Sequence, residues 1–112
     1  MKKEPVIIRK WKTGYNKGDL IFLFPCEPSD YEGKFCQMWE YVGEHGGGEY
    51  LAVMQDTKPV PYHVAWEALA RYCNLYDREG EQTLKDYRIM QKESRATRRE
   101  FTERLISYRK GD

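Results

Sequence analysis

The sequence predicts an α+β fold, with a four- to five-stranded antiparallel sheet, one amphipathic helix packed on it, and a C-terminal helix. Three observations point there. Short β-branched and aromatic runs, separated by turn residues, fill the first half of the chain. One stretch, 61–76, changes to an apolar period of 3.6. The length, 112 residues, suits a single domain, and no linker separates two cores.

The elements follow in order. Val6-Ile7-Ile8-Arg9-Lys10-Trp11 is β-branched and aromatic and predicts a first strand. Asn16-Lys17-Gly18-Asp19 supplies a turn, because Asn and Gly tolerate positive φ. Leu20-Ile21-Phe22-Leu23-Phe24 is apolar throughout, which predicts a strand covered on both faces and stopped by Pro25. Phe35 to Val42 reads as a third strand, with Phe35, Trp39 and Tyr41 on one face and Cys36, Met38 and Val42 on the other. Gly46-Gly47-Gly48 breaks the chain, and Tyr50 to Met54 reads as a fourth strand.

From Pro61 to Tyr76, Tyr62, Ala65, Trp66, Leu69, Tyr72, Cys73 and Tyr76 recur at helical spacing, which predicts a helix with those residues inward and His63 outward. Beyond Gly80 two readings compete. A single helix over 81–109 would run roughly 43 Å, longer than the domain it must pack on. The preferred alternative is a strand at about Lys85–Gln91 followed by a helix from Arg98 to about Tyr108. Thr97 and Glu100 would form its capping box. The single domain, 1–112, is then a core of about 5–92 with a basic C-terminal helix of about 93–110.

Composition narrows the class. Hydrophobic residues make up 40% and aromatics 14% beside 33% charged, which excludes a disordered chain and implies an aromatic core under a charged surface. The net charge of +1 is neutral about partners, but residues 71–112 hold eleven Lys or Arg against eight Asp or Glu. The N-terminus leads into only three consecutive apolar residues, and no run approaches the ~20 needed to span a bilayer, so neither a signal peptide nor a membrane span is expected. Cys26, Cys36 and Cys73 are expected as reduced cytoplasmic thiols. Cys36 and Cys73 would be core, and Cys26, beside Glu27, exposed.

The segment Tyr41-Val42-Gly43-Glu44-His45-Gly46-Gly47-Gly48-Glu49-Tyr50 resembles a His-Val-Gly-Gln-His-Gly-Ala-Ala-Asp-Tyr-like segment found in uncharacterised small proteins of bacteriophages and bacterial mobile elements. Val6 to Trp11, Phe24-Pro25, Thr57-Lys58-Pro59 and a closing strand at Tyr87 to Lys92 extend the resemblance over roughly residues 6–92. The sequence departs from that pattern at Tyr41, Glu44 and Glu49, and after Lys92. The resemblance implies a protein working in the cytoplasm of a host bacterial cell, by binding host machinery or countering host defence. It implies no chemistry.

Two constellations are candidate sites. Successive glycine amides can cradle an anion, so Gly46, Gly47 and Gly48, with His45 and the aromatic Trp39, Tyr41 and Tyr50, form a candidate pocket for a small anionic or nucleotide-like ligand. The same glycines also suit a plain hairpin loop. Lys92, Arg95, Arg98 and Arg99 form a basic cluster fit for nucleic acid or an acidic host protein, although Arg99–Glu103 and Glu100–Arg104 pairs would neutralise part of that helix. No Cys/His pair has the spacing of a zinc site, so neither metal nor cofactor is expected. Glu27 would raise rather than lower the Cys26 pKa, and Glu44 and Glu49 read as surface carboxylates. The sequence therefore predicts a non-catalytic binding protein for a host protein or nucleic acid, the small-ligand pocket being the alternative.

Overall fold

A computed structural model of the protein describes residues 3–40, 44–76 and 84–111. Strands β1 (Glu4–Trp11) and β2 (Leu20–Pro28) form an antiparallel hairpin, and Gly18 takes a φ of 93° in the turn between them. β2 lies between β1 and β3 (Cys36–Glu40), and its apolar run is covered on both sides as the sequence predicts. β4 (Glu44–Gly48) pairs with β3 and forms one edge. At the other edge β1 pairs with two short strands. β5 (Thr57–Pro59) runs antiparallel along Arg9–Trp11, and β6 (Tyr87–Met90) runs parallel along Glu4–Ile7. The α+β prediction holds.

Helices cover both faces. α2 (Tyr62–Tyr76) lays Ala65, Ala68, Leu69, Tyr72 and Cys73 over Val6, Ile8, Phe22, Phe24, Trp39 and Tyr87. Trp39 is wedged there, its ring 5.0 Å from those of both Phe22 and Tyr72 in near edge-to-face contact. The opposite face carries Ile7, Ile21, Leu23 and Cys36 under α1 (Tyr50–Asp56) and α3 (Arg95–Arg109), through Val53 and Phe101. Alternation along β3 therefore does split Trp39 from Cys36 and Met38, as expected.

Several expectations need correction. The third strand begins at Cys36, with Phe35 outside it and partly exposed, while the predicted end at Tyr41 and Val42 lies outside the described residues. Gly46-Gly47-Gly48 does not break the chain but is strand, and none of the three has positive φ. Space is short at two of them. A Cβ on Gly47 would run into Ser29 Oγ, and one on Gly48 would come 2.8 Å from Met38 Sδ, so those side chains would have to move. Tyr50 to Met54 is helix, not strand: Tyr50, Val53 and Met54 sit at helical spacing on the sheet, and the Arg9 guanidinium donates to the carbonyls of Met54 and Thr57 at the helix end.

The inward face of α2 is rotated from the predicted one. Trp66 and Ala68 are about 160° apart at 100° per residue, so a flat sheet can bury only one, and it buries the alanine. Trp66 and Tyr62 remain 43% and 64% exposed. The strand predicted at 85–91 is β6, preceded by one 3₁₀ turn (Leu84–Asp86). α3 begins a turn earlier than expected because Ser94, not Thr97, is the cap. Ser94 Oγ accepts from the Thr97 amide, and Thr97 Oγ1 accepts from the Ser94 amide at 2.7 Å. Cys26, expected at the surface, is buried with Sγ directed at Thr97 O.

Candidate binding site

Among the described residues, the glycine segment and its neighbours do not converge on one cleft. Trp39 is in the core and presents no open ring face. Tyr50 begins α1, and its hydroxyl accepts a hydrogen bond from the Glu93 amide at 2.9 Å. His45 lies in β4 with its side chain outside the described residues, and Tyr41 lies outside them altogether. Gly46, Gly47 and Gly48 form the edge strand paired with Met38, Gln37 and Cys36. The Cys36 thiol donates to Gly48 O, and burial pushes its pKa up to about 12, far from a reactive thiolate.

The basic cluster divides. Lys92 precedes α3 rather than sharing its face. Arg98 stands 3.7 Å from Glu93 and 5.6 Å above the Phe101 ring, so it is partly engaged. Arg95 and Arg99 are exposed on the first two turns of α3 and form no ion pair among the described residues.

Arg104, which sequence reading placed only in a neutralising pair, is the centre of a charge network. It reaches Glu100 at 2.9 Å, as that pair predicts, and also Glu4 at 3.0 Å and Glu27 at 3.1 Å. Burial works against its charge, but hydrogen bonds to Glu4 and Glu100 outweigh this and hold its pKa above the ordinary value. Burial and the neighbouring Glu4 push the Glu27 carboxyl upward, with Arg104 opposing. This network ties α3 to β1 and β2.

Two further cations come from places the sequence did not connect. Parallel pairing sets Glu4 against Tyr87 and Pro5 against Arg88, which brings Lys3 and Arg88 together at the sheet edge. Both are exposed, without an ion pair among the described residues. They separate two grooves. One, about 270 Å³, runs toward the start of α3 and is lined by Cys26, Ala96, Thr97 and Glu100. The other, about 290 Å³, opens on the α2 side and is lined by Tyr62, Trp66, Leu69 and Tyr87, with no carboxylate among the described residues. A basic stripe thus joins Lys3 and Arg88 to the start of α3, where Arg95 and Arg99 are exposed next in sequence to the groove residues Ala96 and Glu100 without lining the groove themselves.

Comparison with protein-family models, with curated proteins and with solved structures finds no match to this chain. No described helix is long and apolar enough to cross a membrane. Among the described residues no three His, Cys, Asp or Glu side chains are grouped to hold a metal ion.

Proposed function

We propose that the protein is a non-catalytic binding protein that engages nucleic acid along this stripe. The observation that carries the reading is that Lys3 and Arg88 line two grooves and are exposed without an ion pair among the described residues, with Arg95 and Arg99 likewise exposed and unpaired at the start of α3. Like charges held together repel, and a polyanion relieves that repulsion while releasing its own counterions. The N-terminal end of α3 adds its partial positive charge on the same side. The resemblance to bacteriophage and mobile-element proteins suits a partner from the host, as in countering host defence.

The test is titration of a fluorescently labelled oligonucleotide across a salt series, with Arg88→Gln, Arg95→Gln and Arg99→Gln combined. Each lost phosphate contact should lower the slope of log K against log [salt] by about 0.7–0.9, so the triple variant should lose roughly two to three. Circular dichroism should remain unchanged, because all three side chains are exposed. An unchanged slope, or no binding by the parent at low salt, overturns the reading.

A further inference from the structure

We infer that the groove on the α2 side of β6 captures an unpaired nucleobase, so that the nucleic acid is taken single-stranded. The inference rests on the nucleic-acid reading above and adds to it the form of the partner. It begins from the two large aromatic residues of α2 that packing leaves outside. Tyr62 and Trp66 lie one turn apart, with ring planes within 15° of parallel and centroids 6.5 Å apart, and together they present flat apolar surface to solvent. An exposed tryptophan beside an exposed tyrosine forms a stacking platform for any planar π-system.

The groove beside them sets the size of the guest. At about 290 Å³ it lies at the floor of the range for ligand pockets, roughly 300–1,000 Å³, which suits one planar group and not an extended cofactor. Its base is apolar, through Leu69, Tyr87 and Ile89. Lys3 and Arg88 stand at its rim, where a base seated against Trp66 would place its phosphates. A ring on an anionic backbone meets both requirements at once. In a duplex the ring faces are stacked inside and cannot reach the platform, so the platform selects single strands.

The experiment compares a single-stranded oligothymidine with a hairpin duplex of equal charge, bound to the parent, Trp66→Ala and Trp66→Phe. Trp39 is buried and Trp11 packs on the opposite face of the sheet, so binding at the groove should quench the exposed Trp66, and the quenched component should vanish in both variants. Trp66→Ala should weaken single-strand binding roughly ten- to hundredfold, the range for losing one stacked base. It should leave duplex binding and the salt slope unchanged. Trp66→Phe, which keeps a ring, should restore most of the affinity, and melting temperatures of all three proteins exclude a folding defect. If single-strand binding shows neither quenching nor sensitivity to Trp66→Ala while salt-dependent binding persists, base capture is wrong and the nucleic-acid reading stands. Equal losses for both oligonucleotides sink base capture in the same way. If neither binds at low salt, both readings fail, and capture of an acidic, aromatic peptide instead would replace them.

Discussion

Replacing Arg104 by Met removes one cation from among three carboxylates. The substitution keeps the stem of the side chain but deletes hydrogen bonds of 2.9, 3.0 and 3.1 Å to Glu100, Glu4 and Glu27. Breaking a fully buried pair from one side costs about 3–5 kcal/mol, because the remaining charge is left desolvated. Here the side chains are 20–48% exposed, with Glu27 the most open, so water screens part of the loss and about 2–3 kcal/mol is expected at neutral pH. That is a large share of the roughly 5–15 kcal/mol that holds such a domain together. The loss should depend on pH. Without Arg104, which opposes the upward push on Glu27, that carboxyl has a native pKa further above its unfolded one, so the native state holds more protons and loses stability as pH rises. Glu27 already starts in that direction: its ionised form is disfavoured once pH climbs past the ordinary value of 4.5. Urea unfolding of Arg104→Met should therefore show a small deficit near pH 4 and the full deficit near pH 7. Arg104→Lys should recover only part, since a point charge cannot meet three partners as a fork does. A deficit independent of pH, or below about 1 kcal/mol at neutral pH, would refute the argument.

Two other outcomes follow from packing. Leu69→Ala should destabilise by about 2–5 kcal/mol in urea melts, because Leu69 is fully buried, whereas Trp66→Ala, at a site 43% exposed, should lose much less; equal losses would mean the inward face of α2 is misplaced. Gly46→Ala should be nearly silent, its added carbon meeting only Met38 Cε at 3.8 Å. Gly48→Val should destabilise by about 1–3 kcal/mol through contact with Met38 and Val53 and so lower the melting temperature, and identical melting curves for the two would contradict the placement of β4.

How much of this was legible in the sequence depended on whether the signal was local. Leu20 to Phe24 could be read as a doubly covered strand because every residue is apolar, and α2 because its period persists for four turns. Tyr50 to Met54 could not, since five apolar residues fit a short strand as well as a helix turn, and what decides is Arg9 holding the carbonyl end from another strand. The glycines read as a loop because glycine more often supplies freedom of φ, whereas Gly47 and Gly48 lie in a strand where Ser29, Met38 and Val53 leave little room for a side chain. The rotation of α2 was within reach: its apolar arc is wider than a sheet can cover, so some of it had to stay outside. The nearness of Lys3 to Arg88 left no trace in sequence, for it arises only when β6 docks beside β1.

That docking also orders events in time. The β1–β2 hairpin closes across a short turn, so half of β1 can pair early. Its other neighbour at Glu4–Ile7 arrives from Tyr87–Met90, near the opposite end of the described chain. Closing so long a segment is entropically slow, and contacts of this separation form late in folding. Lys3 and Arg88 become neighbours only at that step. The stripe proposed for binding is thus completed late, and a chain still missing its parallel strand lacks the two neighbouring cations that the proposal places at its centre.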